Sequence, residues 1–184
     1  SAGVTEFLQE FLEALEPHLP WKQQFSKSET MKEDWCVSLQ LEGASAVWAG
    51  VDMLLQTSML QEKEQGRKRT KVAVAGTSYH GPPSTSFGSS SPLWHKHHQL
   101  KYPAPRVGQE IDEEALLQQF STFLKEHGSE IGVILFEPQW GSSQAALPWP
   151  KNLLKQYIRM SKEHGIKVLC DEIMCGLGRH GMQT

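Results

Sequence analysis

A chain of 184 residues, with 18 Lys+Arg against 21 Asp+Glu, a net charge of −3 and 39% hydrophobic residues, is long enough to bury one substantial core. A balance this close to neutral excludes a binder held to nucleic acid by clustered excess base, and no run approaches the ~18 apolar residues of a membrane span. Three cysteines make no disulfide framework, so a reducing compartment is expected, cytoplasm or organellar matrix.

Ser1-Ala2-Gly3 opens without the charged and apolar regions of a secretory leader. Val4, Phe7, Leu8, Phe11, Leu12 and Leu15 recur at three and four, which predicts an amphipathic helix over 4–16, ended by Pro17. Residues 17–34 are polar and form a connector, and Cys36–Leu41 reads as a strand. Gly43 follows, and 44–61 has a helical pattern with Val47, Val51, Leu54, Leu55 and Leu60 apolar. Val72–Ala75 is a short apolar strand. Residues 77–108 are rich in Gly, Pro and Ser and read as one long loop, of a length usually tied to function. Helices are expected over 112–127, stopped by Gly128, and from Pro150 to Gly165. Ile131–Phe136 and Ile166–Cys170 are the remaining strands. The last residues, Gly181–Thr184, follow a Gly-rich turn with no closing element, the pattern of a truncated chain.

Strands alternating with helices of ~15 residues imply βαβ units: an α/β fold with a mostly parallel sheet covered on both faces, a three-layer sandwich. In such sheets ligands bind beyond the carboxyl ends of the strands. Four predicted strand ends carry suggestive residues: Gly43-Ala44-Ser45, Tyr79-His80-Gly81, Glu137-Pro138 and Asp171-Glu172. Each has a plain counterpart as loop or cap chemistry; four on one edge point to a site.

Gly43 precedes a helix N-terminus, where backbone N–H groups and the dipole favour an anion such as phosphate; the plain alternative is an ordinary helix start. Tyr79 is suited to stack on a heteroaromatic ring, or equally to be a core tyrosine. Asp171 closes an apolar strand, and a carboxylate there needs a cation or donors. A protonated ring nitrogen would serve, at ~4 kcal/mol for ~4 Å and an effective dielectric of ~20. Anion cradle, stacking ring and carboxylate together describe a pocket for a phosphorylated pyridine. His95, His97 and His98 lack a second ligand cluster, so no metal is expected. A nucleotide-binding α/β domain is disfavoured because no Gly-rich fingerprint follows a strand.

Lys71-Val-Ala-Val-Ala-Gly-Thr-Ser-Tyr79-His80-Gly81, Glu137-Pro138-x-x-Gly141 and Asp171-Glu172-Ile173-Met174-Cys175-Gly176-Leu177-Gly178-Arg179-x-Gly181 resemble motifs of the class III aminotransferases, which are fold-type-I pyridoxal-phosphate enzymes. The resemblance divides the chain into an N-terminal helix and connector, 1–34, and part of the cofactor-binding large domain, 35–184. It implies Gly43 and Ala44 at the cofactor phosphate, Tyr79 and Ile173 on the two faces of the ring, and Asp171 at the ring nitrogen. Glu137 would support that carboxylate, His80 lies beside the ring without a firm role, and Arg179 is structural. Ser142 would border the substrate pocket; Trp140, which like the other tryptophans reads as core or interface, could line that pocket from its place after Glu137-Pro138. Members are dimers that complete the pocket from the other subunit, so a homodimer is implied, acting on an amine or amino acid and a 2-oxo acid.

Several departures qualify the resemblance. Glu42-Gly43-Ala44-Ser45-Ala46 lacks the family's hydroxyl beside the phosphate; Pro82 stands where many members have a carboxylate-binding Arg, and Ser142 where some have a gating Glu. The last two favour an amine or ω-amino donor over dicarboxylates. The family's Schiff-base lysine follows the Asp171 motif, yet no lysine follows Lys167 here. The 184 residues alone are therefore expected to show no turnover. A degenerate, non-catalytic binding or assembly partner is the competing reading.

Overall fold

The computed structural model describes residues 5–18, 38–63, 69–81, 99–141 and 144–179. The chain forms two compact units, one of residues 1–38 with 176–184 and one of residues 39–175.

In the first unit, helix α1 spans Glu6–Leu15 and ends in a single 3₁₀ turn, Glu16–His18. Thr5 caps it, its Oγ1 accepting the Leu8 N–H at 3.2 Å, and Glu6 lies in the first turn, where the helix dipole favours a negative charge. The expected apolar stripe is present, with Phe7 82% exposed.

The second unit holds the sheet. Its elements are α2 (Gly43–Lys63), β1 (Lys71–Ala75), β2 (Gln99–Tyr102), α3 (Glu113–His127), β3 (Ile131–Phe136), α4 (Lys151–Glu163) and β4 (Lys167–Cys170). The strands run parallel in the order β2-β1-β3-β4. All six residues of β3 are buried, as a central strand covered on both faces requires. Along the strands, Ala73, Ala75, Ile134, Phe136 and Val168 pack on one side with Phe120 and Leu124 of α3 and with Leu153 and Tyr157 of α4. Val72, Val74, Val133, Leu135 and Leu169 pack on the other with Val47, Trp48, Val51 and Leu55 of α2. The three-layer α/β arrangement expected from the sequence is the one present.

Close approach of α2 depends on small residues. A Cβ on Gly132 would come within 2.5 Å of Leu55 Cδ2, and one on Gly50 within 3.2 Å of Leu169 Cδ1. Across the sheet an aromatic cluster fills the core: Phe120 stacks on Tyr157 at 3.8 Å, and the single Tyr157 hydroxyl proton lies within reach of the carbonyls of Leu116 (2.9 Å) and Pro103 (3.1 Å). Burial pushes the pKa of Tyr102 and of Tyr157 above the usual phenol value, so both remain hydroxyl donors.

Two sequence expectations change. Residues 38–40 have no regular structure and 41–42 form a bend leading straight into α2, so the strand expected over Cys36–Leu41 is absent from its described part; Cys36 and Val37 lie outside the described residues. The loop expected over 77–108 contains β2, an edge strand whose Tyr102 hydroxyl donates to the Leu135 carbonyl at 2.6 Å. No helix among the described residues is long and apolar enough to cross a membrane.

Candidate functional site at the carboxyl edge of the sheet

The register pairs Phe136 with Cys170, so the next residues, Glu137 and Asp171, leave neighbouring strands side by side. The Asp171 N–H donates to the Phe136 carbonyl at 2.8 Å, extending the ladder by one bond. Side chains alternate across a strand. Since Leu135 and Leu169 face α2, Glu137 and Asp171 fall on that same face, where α2 begins.

The first helical bond of α2 runs from the Ala46 N–H to the Glu42 carbonyl, 3.1 Å. The N–H groups of Gly43, Ala44 and Ser45 therefore precede the ladder, at the positive end of a 21-residue helix. This end is wedged against the site. A Cβ on Gly43 would fall 2.5 Å from Ile173 Cδ1, and one on Gly81, whose φ is +73°, would collide with Ala44. Gly43 and Ile173, and Gly81 and Ala44, are thus in close contact, and at Gly81 the positive φ adds a second reason for glycine.

Asp171 is buried, and both carboxylate oxygens have donors. His80 Nδ1 lies 2.8 Å from Oδ2, and the Ile173 N–H reaches Oδ1 at 3.2 Å. The carboxylate partner assigns the proton to Nδ1, leaving Nε2, buried and without a hydrogen-bond partner among the described residues. Glu137 is buried as well. Its Oε2 accepts the Gly141 N–H at 3.3 Å, while Oε1 has no partner among the described residues. The imidazole serves Asp171 alone, and a buried carboxyl oxygen without a partner, such as Glu137 Oε1, carries a desolvation cost.

Tyr79, beside His80, is 71% exposed, and Ile173 is 54% exposed. Two apolar faces thus stand open within a few residues of Asp171. Trp140 differs from expectation: it has no exposed surface and stacks on Trp149 at 4.8 Å, a core position rather than a pocket lining. Its indole N–H donates to Ser78 Oγ at 3.3 Å, a contact with no sequence signal beyond the hydroxyl itself. Met174, unremarked in the sequence, borders Gly141, with Cγ 3.6 Å from where a Cβ would stand. Pro82, Ser142 and His95, His97 and His98 lie outside the described residues, and Arg179 belongs to the other unit. Burial pushes the thiol pKa of Cys170 and of Cys175 up, which keeps both protonated. No group of metal-ligating side chains occurs among the described residues.

The model of one protein family, "Aminotransferase class-III", matches residues 8–183. This chain belongs to the class-III aminotransferases. Among curated relatives, an adenosylmethionine-8-amino-7-oxononanoate aminotransferase of Nitratidesulfovibrio vulgaris is 27% identical over 154 residues, 76% of this chain and 28% of the relative. The chain therefore spans little more than a quarter of that relative's length. Of solved structures, a lysine aminotransferase from M. tuberculosis superposes with a TM-score of 0.59 at 18% identity, covering 74% of this chain and 35% of that one. An omega-aminotransferase from Paracoccus denitrificans gives 0.58 at 16%, covering 95% and 44%. At these identities the structures support the fold alone, that of the aminotransferase large domain.

The family depends on pyridoxal phosphate, and the residues present fit that group. The orphaned Glu137 oxygen and the buried, fixed Asp171 carboxylate suit a protonated ring, and the N–H groups at the start of α2 suit a phosphate.

Proposed function

We propose that this chain supplies the cofactor-holding part of a pyridoxal-phosphate-dependent aminotransferase that moves an amino group from an amine, ω-amino acid or amino acid to a 2-oxo acid. The reading is carried by the buried Asp171 carboxylate, fixed by His80 and the Ile173 N–H on the face where α2 starts. Gly43 and Ala44 would hold the phosphate through backbone N–H groups, and Tyr79 and Ile173 would cover the two faces of the ring. Asp171 would keep a proton on the ring nitrogen, with His80 fixing the carboxylate's rotation and Glu137 standing beside it. Bound there, pyridoxal phosphate supplies an electron sink for the carbon bearing the substrate's amino group.

Pro82 and Ser142 place neither a cation nor a carboxylate at positions that select dicarboxylates in relatives, which supports an amine or ω-amino donor. The complete enzyme would be a homodimer in a reducing compartment. The 184 residues, with no lysine after Lys167, would bind the cofactor reversibly and not turn over.

Titrating pyridoxal phosphate into the chain tests this reading. Saturable binding that inorganic phosphate competes away, without transamination of any amine donor, is expected. Binding that never saturates would refute the cofactor site, and turnover by these residues alone would refute the role left to a lysine elsewhere.

A further inference from the structure

We infer that Trp140 is a positioning residue for the ring of Tyr79, acting through Ser78. The segment leaving β1 is tied down at successive points. The Gly76 N–H donates to the Tyr102 carbonyl at 3.3 Å, and the Ser78 N–H turns back to the Ala75 carbonyl at 3.2 Å. His80 is held at Asp171, 2.8 Å away. The remaining tie crosses to the loop after β3, where Trp140 Nε1–H donates to Ser78 Oγ at 3.3 Å.

Tyr79 thus stands between two residues anchored by their side chains, while its own ring projects outward. Trp140 makes a rigid post because it is itself fully enclosed. It stacks on Trp149 at 4.8 Å and 21°, and Trp149 meets Phe136 (6.0 Å) and Tyr157 (5.1 Å) edge-on. This aromatic column runs from the centre of the core to the residue before Tyr79.

An exposed ring on a loop loses conformational freedom when a planar ligand stacks on it, and ordering its backbone beforehand removes part of that cost. A buried indole N–H usually takes an acceptor, and that of Trp140 has one where that of Trp149 has none among the described residues. Here the acceptor is the one hydroxyl whose restraint also restrains Tyr79. The ligand that Tyr79 would meet is that of the proposed cofactor site; the latch between Trp140 and Ser78 is independent of it.

The test uses the full 184-residue chain with Trp140→Phe, Ser78→Ala, both together, and Ser78→Thr, which keeps a hydroxyl. Amide hydrogen exchange at residues 78–80 and titrations with pyridoxal phosphate and with inorganic phosphate are compared. Each of the first two substitutions should speed exchange and weaken pyridoxal phosphate about five-fold, the loss of one hydrogen bond. The double variant should add nothing further, Ser78→Thr should restore the parent values, and inorganic phosphate should bind unchanged. Additive effects, or exchange unaltered by Ser78→Ala, would overturn the latch. Faster exchange with undiminished pyridoxal phosphate affinity would overturn the positioning role. If the parent chain itself fails to bind pyridoxal phosphate, the cofactor reading falls, and the exchange measurement still decides the latch.

Discussion

The two edges of the parallel sheet are built from the same strands and solve opposite problems. At the amino edge, charges are paired close to solvent: Lys71 Nζ lies 2.8 Å from Glu130 Oε2, and His127 Nδ1 lies 3.1 Å from Glu130 Oε1. At the carboxyl edge, Glu137 and Asp171 are buried, one carboxylate oxygen and one imidazole nitrogen lack partners among the described residues, and the apolar side chains of Tyr79 and Ile173 stand open. One edge closes its polar groups on each other. The other pairs His80 with Asp171 and leaves Glu137 Oε1 and His80 Nε2 without partners among the described residues, at a price in stability that a bound donor and acceptor would offset.

Substitutions at the two edges should therefore separate binding from folding. The largest effect is expected from Asp171→Asn, which keeps the shape and removes the charge. Pyridoxal phosphate affinity should fall about a hundred-fold, the scale of a hydrogen bond to a charged group, in a titration of the two proteins side by side. The thermal midpoint should move little. A large loss of stability with unchanged affinity would make Asp171 a structural residue like those of the amino edge.

Next comes Gly132→Val, near the amino end of β3. The new side chain would meet Leu55 and the Arg69 carbonyl, 2.5 Å and 3.0 Å from its Cβ. Overpacking of this kind costs about 1–3 kcal/mol, readable as a lower urea midpoint. Affinity extrapolated to the folded fraction should be unchanged, because the site lies at the other end of the strand.

The smallest effect belongs to Glu130. Hydrogen bonds from Lys71, and more weakly from His127, hold its carboxyl below the usual carboxylate range against a smaller opposing effect of burial. A carboxyl with a depressed folded value contributes stability above its unfolded value, near 4.3, and loses it as pH falls through the folded value. Parent and Glu130→Gln should thus differ by ~0.5 kcal/mol at neutral pH, as for a half-exposed pair, and converge in acid. A difference that persists at the lowest pH where both fold would assign the effect to packing.

How much of this was readable beforehand follows from what each segment has to do locally. Ile131–Phe136 announced a buried strand because every residue is apolar, and 112–127 announced a helix through its period and the Gly128 stop; the structure adds the Asp112 cap, which accepts the Ala115 N–H at 2.9 Å. Gln99–Tyr102 did not, since an edge strand keeps polar residues and sits in a stretch rich in Gly, Pro and Ser. Ser38–Leu41 has strand-like alternation without a strand, because sheet pairing depends on neighbours that periodicity does not encode.

Among the site residues, Asp171 and Gly43 stood out by residue type and by their place at the end or start of an element. The partnership of His80 with Asp171 spans 91 positions and left no local mark. Trp140 was left between core and pocket wall because a large aromatic after a strand suits both; the stack on Trp149 places it in the core.

The claim on which the site rests is that Asp171 presents a fixed carboxylate to a ring nitrogen. Nuclear magnetic resonance of pyridoxal phosphate labelled with ¹⁵N in its ring, bound to the full chain, reads that nitrogen directly. The account predicts a protonated signal that persists above the pH at which the free ring loses its proton and disappears in Asp171→Asn. A bound ring that titrates as it does in free solution, with or without the aspartate, would contradict it.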